Sequence, residues 1–230
     1  MNYIPLRLVV FDLDGTLVDS QHSIVAPMRA AFEDLDLDPP DASAIRSVSG
    51  LPLDIAIERI SSNVRGLLTE RVVESYKHHA HIMQAKMGPG PLMPGALNAL
   101  DRLDEAGVLL AIATGKGRQG LLHALDVHGI AGRFVSLQSA DDAPGKPDPT
   151  MLRQAMEEAD VRPAATAMIG DTIFDLQMAQ NAGVTGIGVA WGYHEIALLL
   201  SIRPDAVIHH FDELDVTLND KLGRSMGGDI

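Results

Sequence analysis

Two aspartates two positions apart, Asp12 and Asp14, follow a compact apolar run and precede a glycine and a threonine in Val9-Val10-Phe11-Asp12-Leu13-Asp14-Gly15-Thr16-Leu17. On an extended segment, residues two apart project to the same side, so both carboxyls face one point, and Gly15 permits a sharp turn directly after them. Carboxyls gathered in this way could hold a cation or handle protons. Asp-Gly is also a common turn signal, and an isolated Asp-x-Asp-Gly reads first as a turn. The rest of the chain changes that reading.

Three further segments carry residues suited to binding charge. Ala111-Ile112-Ala113-Thr114-Gly115-Lys116 ends an apolar run in a hydroxyl and a glycine, ahead of a helical stretch that starts near Arg118. Hydroxyl and backbone N–H groups at such a point form an anion cradle, although a threonine there also serves as a helix cap. Gly145-Lys146-Pro147-Asp148-Pro149 holds a lysine in a constrained backbone, able to present Lys146 towards a fixed point rather than as a free surface side chain. Met168-Ile169-Gly170-Asp171-Thr172-Ile173-Phe174-Asp175 sets one carboxylate at the end of a run and another four residues on, near a first helical turn. Taken alone, Asp171 could be a helix N-cap.

Together these segments would bring Asp12, Asp14, Asp171 and Asp175 to one edge, where a cation must neutralise them. An all-oxygen set without His or Cys suits a hard ion that keeps some of its waters, favouring Mg²⁺ over zinc or copper. Thr114 and Lys146 would then face a bound phosphate.

Apolar runs at 7–13, 108–113, 134–137, 165–169, 185–189 and, more weakly, 206–208 read as buried strands. Helical spacing occupies 94–106, where Leu97, Leu100 and Leu103 share a face and Gly107 suits the stop, and recurs at 118–125, 149–159 and 173–182. This alternation predicts an α/β fold with a doubly wound, parallel-sheet, Rossmann-like core, whose ligands bind outside the carboxyl ends of the strands. Residues 19–88 break the pattern, with helical spacing at 22–35, 53–60 and 64–87 and no convincing strand. They read as an inserted all-helical cap, leaving 1–18 and 89–230 as the core. The breaker-rich exit Met87-Gly88-Pro89-Gly90-Pro91-Leu92-Met93-Pro94-Gly95 is a natural hinge, and 223–230 read as loosely held.

The 230 residues carry a formal charge of -13, which disfavours nucleic acid and anionic lipid as partners. Cysteine is absent, which removes disulfides and thiolate metal sites. No apolar run approaches the ~18–20 residues of a membrane span. The expectation is a cytoplasmic protein, monomeric or a small homo-oligomer.

The ordered set Asp12-Leu13-Asp14-Gly15-Thr16, Thr114, Lys146 and Gly170-Asp171 to Asp175 resembles the haloacid dehalogenase superfamily, specifically its phosphatases with a helical cap inserted after the first motif. The resemblance spans nearly the whole chain. It implies that Asp12 attacks phosphorus to form an aspartyl-phosphate, and that Asp14 protonates the leaving oxygen and then activates water. It implies Mg²⁺ on the Asp12 carboxylate, the Asp14 backbone carbonyl and Asp171, with Asp175 a ligand or a partner of one. Thr114, the Gly115 N–H and Lys146 would meet the phosphoryl oxygens. Lys116 rivals Lys146, and the third-motif context selects Lys146.

Relatives that cleave carbon–halogen bonds lack the second aspartate, so Asp14 points to phosphoester hydrolysis. A sugar phosphomutase, a pyrophosphatase of the same superfamily, and a phosphate-binding module without turnover are the alternatives. The stretch Arg46-Ser47-Val48-Ser49-Gly50-Leu51-Pro52-Leu53 looks like the cap loop that closes over the leaving group in phosphoglycolate phosphatases. Arg46, Gly50 and Leu51 thereby become specificity candidates, and a small phosphorylated metabolite such as phosphoglycolate is the expected substrate. His78, His79 and His81 read as part of a solvated helix, and Trp191-Gly192-Tyr193-His194 as core packing.

Overall fold

Six apolar runs become six strands of one sheet in the computed structural model, which describes residues 7–224. After β1 (Leu8–Phe11) come four helices in succession, α1 (Gln21–Glu33), α2 (Ala42–Ser47), α3 (Leu53–Ile60) and α4 (Leu67–Met87). Alternation follows: α5 (Ala96–Glu105), β2 (Leu109–Ala113), α6 (Arg118–Val127), β3 (Phe134–Gln138), α7 (Thr150–Ala159), β4 (Thr166–Gly170) and α8 (Ile173–Ala182). The chain closes with β5 (Thr185–Val189), α9 (Ile196–Ser201), β6 (Ala206–Ile208) and α10 (Leu214–Arg224).

All five strand pairings are parallel, in the order β3-β2-β1-β4-β5-β6. Helices cover both faces, so β1 and β4 are buried throughout and their sequences run apolar without alternation. Side chains still divide by face. Val9 and Phe11 pack with Leu100, Leu103, Leu121 and Leu214, whereas Leu8 and Val10 pack with Met151, Leu152, Ala155 and Met178. Both layers press on β1, which fixes the strand that leads into Asp12.

The helices α1 to α4 have a separate apolar cluster built on Met28, Phe32, Ile45, Ile57, Val64 and Val72. The two chain segments joining this unit to the sheet lie side by side: Val18 bridges Leu92 in antiparallel sense, and the Asp19 N–H donates to the Pro91 carbonyl at 2.9 Å. No helix among the described residues is long and apolar enough to cross a membrane.

Several elements depart from the sequence reading. The helix expected over 64–87 begins only at Leu67, because Gly66 holds a left-handed φ of 58° that a helix cannot propagate. Helix α2, six residues long, gave no periodic signal because it spans under two turns. Gly223 lies in α10, and the remainder of the 223–230 tail beyond Arg224 falls outside the described residues.

Candidate active site

The loops after β1, β2 and β4 converge because those strands are neighbours in a common register. Phe11 pairs with Ile112 on one side and Ile169 on the other, so the residues that follow leave the sheet at one level. The Asp12 N–H extends the β1–β4 ladder to the Ile169 carbonyl at 2.9 Å. The chain then turns at Gly15, whose φ of 85° favours glycine and where a Cβ would collide with the Asp171 carboxylate. Gly192 answers the same need from the loop after β5, where a side chain would also meet Asp171.

Asp12, Asp171, Asp175 and Lys146 are all buried beneath this convergence. Lys146 Nζ lies 2.8 Å from Asp12 Oδ1 and 2.6 Å from Asp175 Oδ1. The other Asp175 oxygen accepts from the Thr172 N–H at 3.0 Å and the Thr172 hydroxyl at 2.6 Å, closing a capping box at the start of α8. Both Asp175 oxygens are thus engaged, one with the lysine and one with the helix. Asp171 accepts from the Thr16 hydroxyl at 3.0 Å and the Tyr193 N–H at 2.8 Å.

Burial dominates the electrostatics. It pushes the Asp12 carboxyl up to about 6 against the pull of the Lys146 ammonium. Asp171 is raised well above the usual carboxylate range, first by burial and then by the charges of Asp12 and Asp175. For Lys146, burial acts to lower the pKa, but Asp12 and Asp175 overcome it and keep the side chain protonated.

One oxygen each from Asp12, Asp171 and Asp175 lies within 4.8 Å of the others, and these form the one such group among the described residues. Three buried carboxylates face a single buried ammonium, so their ionised forms leave uncompensated negative charge inside the protein. A divalent cation with oxygen preference would balance it. The residues therefore fit a hard metal ion.

Asp14 stands apart from that buried set and faces the cavity, with Lys116 Nζ at 3.0 and 2.7 Å from its two carboxylate oxygens. The two lysines meet different aspartates: Lys146 meets Asp12, and Lys116 meets Asp14. Thr114 is buried at the end of β2, and Thr114, Gly115, Asp12 and Asp14 line one cavity of about 650 Å³. The opposite wall comes from α1 to α4. Gly50 and Leu51 line it, and a Cβ at Gly145 would strike the ring of Pro52. Arg46 lies on α2 and is not among the residues lining the cavity.

Thr16, Lys116 as the partner of Asp14, Tyr193 and His194 are contributors that the sequence did not single out for these contacts. Trp191 packs on Phe211, as core packing requires, and donates to the Thr16 carbonyl at 3.1 Å. Tyr193 instead reaches Asp171 through its N–H and Ser20 through its hydroxyl at 2.8 Å. His194 Nδ1 accepts from the Ile173 N–H at 3.1 Å, while Nε2 lies 3.0 Å from the Ser47 carbonyl at the end of α2. Their signal in sequence was position alone, directly after a strand at the same sheet edge. Of the histidine trio, His79 pairs with Asp34 at 2.7 Å, and none belongs to the carboxylate group.

The sequence profile of the family described as haloacid dehalogenase-like hydrolase matches residues 9–189. A Dickeya dadantii protein named "Probable phosphatase IndB" is 36% identical over 90% of this chain and 91% of its own length. A Mesorhizobium japonicum protein named phosphoglycolate phosphatase is 30% identical over 96% of this chain and 98% of its own. Among solved structures, a haloacid dehalogenase-like family hydrolase from Streptococcus pneumoniae superposes with a TM-score of 0.80 at 27% identity, covering 92% of this chain and 97% of that one. Carboxylates, lysine and hydroxyl gathered at one edge of the matched sheet agree with these likenesses, and the chain belongs to the haloacid dehalogenase-like hydrolases as one of that family's phosphatases.

Proposed function

We propose that this protein is a Mg²⁺-dependent phosphomonoesterase that acts on a small phosphorylated metabolite through an aspartyl-phosphate on Asp12. The observation that carries the reading is the meeting of two aspartates with different surroundings at the end of β1. Asp12 is buried against Lys146 and beside Asp171, while Asp14 faces the cavity in contact with Lys116.

In the first half-reaction an Asp12 oxygen bonds to phosphorus as the ester oxygen departs, and Asp14 delivers its proton to that oxygen. In the second, Asp14 takes a proton from water, the water oxygen bonds to phosphorus, and the Asp12–phosphorus bond breaks to release phosphate. Thr114, the Gly115 N–H and Lys146 are the donors for the phosphoryl oxygens, where fixed donors contribute most. Asp12, the Asp14 backbone carbonyl and Asp171 would hold Mg²⁺, while Asp175 fixes Lys146. The ion supplies charge neutralisation between nucleophile and phosphate.

Residues 19–88 would serve as a cap that closes on the core about the paired segments at Val18 and Leu92, shutting out bulk water. The charge of -13 and a cleft between two packed units favour small solutes over polyanions or folded phosphoproteins.

The direct test is phosphate release from an aryl phosphate with and without Mg²⁺. Chelation should lower the rate by roughly a hundredfold or more, with recovery on adding the ion back. Folded protein that releases no phosphate in either condition would instead be a phosphate-binding module.

A further inference from the structure

The cleft encloses much more than a phosphate group, and the space left over is walled more by apolar than by polar side chains. Its volume is about 650 Å³. The core contributes the polar end, with Asp12, Asp14, Thr114, Gly115 and Lys116. The facing wall presents Ile24, Met28, Val48, Leu51, Val73 and the ring of Tyr76, with Ser23, Ser49 and Gln84 as uncharged polar neighbours. This wall belongs to a docked cap: Gly50 sits against Lys146 and Thr172, and Pro52 against Gly145.

A second charge on the leaving group would find few partners there. No arginine among the described residues lines the cleft, and Arg46 stands off it. Lys116 is already paired with Asp14. On the cap side Lys77 and His81 are both exposed, and Asp54 adds an anion to the same lining. A carboxylate moved from water to that wall would lose hydration without a buried counter-charge, whereas an apolar group would gain by leaving water.

We propose that the cleft takes a phosphate monoester whose leaving group is an uncharged, largely apolar alcohol, in preference to a carboxylated one such as phosphoglycolate. The proposal rests on the phosphatase reading above. It differs from that reading in assigning the cap wall, rather than the catalytic groups, as the source of selectivity.

The experiment uses the full chain with Mg²⁺ and compares ethyl, butyl and hexyl phosphate with phosphoglycolate and an aryl phosphate. Within the alkyl series the leaving alcohols are nearly equal in acidity, so differences in kcat/KM report burial rather than chemistry. Each added methylene should raise kcat/KM by roughly fourfold until the cleft is filled, and hexyl phosphate should exceed phosphoglycolate by about tenfold or more. A flat series, or phosphoglycolate in the lead, together with turnover of the aryl phosphate, overturns the apolar assignment and leaves the phosphatase reading intact. No turnover of the aryl phosphate removes both.

Discussion

Lys146 is an ammonium with no exposed side-chain surface, set between Asp12 at 2.8 Å and Asp175 at 2.6 Å. Its removal would leave buried carboxylates unpaired, a change that costs about 3–5 kcal/mol when one member of a buried ion pair is deleted. Lys146→Met in metal-free protein should therefore lose that much stability in urea unfolding; a loss below about 1 kcal/mol would mean that the lysine does not hold the carboxylates. Individual residues were the most legible level of this site. Asp12, Asp14, Thr114, Lys146 and Asp171 each stand where an apolar run ends or beside a constraining glycine or proline, and Asp175 stands four residues after Asp171 near a first helical turn, all of them local features. Pairings between them were not local. Lys116 and Asp14 are 102 positions apart, and Thr16 and Asp171 are 155 apart, so both contacts depend on which strands lie side by side. Arg46 was suggested by its loop, but the helix that carries it sets it away from the cavity lining.

Strands announced themselves as compact apolar runs and the longer helices through their spacing, whereas the short helix α2 gave no such signal. Helix α2 spans six residues, yet its final carbonyl, at Ser47, receives His194 from the loop after β5. His194 accepts from the Ile173 N–H through Nδ1, so the neutral ring carries its proton on Nε2 and donates to Ser47. Burial holds its pKa below the usual value, ahead of the opposing hydrogen bond to Ser47. The unfolded chain therefore binds a proton at this site at a higher pH than the folded one does. The stabilising contribution is complete above about 6.5 and declines as pH falls from there through the folded-state value. His194→Gln keeps a donor for Ser47 without the titration. Its melting temperature should fall less than that of the wild type between about pH 7 and pH 5, measured by thermal scans. Identical acid losses in both proteins would place the titration elsewhere.

At the scale of the molecule, alternation of strand and helix specified a parallel sheet with two helical layers, but not the strand order, which is decided by packing. That order, β3-β2-β1-β4-β5-β6, puts the chain reversal between β1 and β4, where Asp12 and Asp171 emerge together. The helical unit closes the cleft from above with its own apolar cluster, and the size and lining of the space between the two bodies were invisible until both had folded. On the proposed mechanism, what the whole assembly serves is a phosphoryl group carried on Asp12. On that mechanism Asp14→Asn would still expel an acidic phenol but lack the base that activates water, so the covalent stage should accumulate on it. The decisive measurement is mass spectrometry of peptides from Asp14→Asn quenched in acid during turnover of an aryl phosphate with Mg²⁺. The peptide bearing Asp12 should be heavier by one phosphoryl group, and Asp12→Asn should carry none; a phosphoryl group on a different peptide, or turnover retained by Asp12→Asn, would contradict Asp12 as the nucleophile.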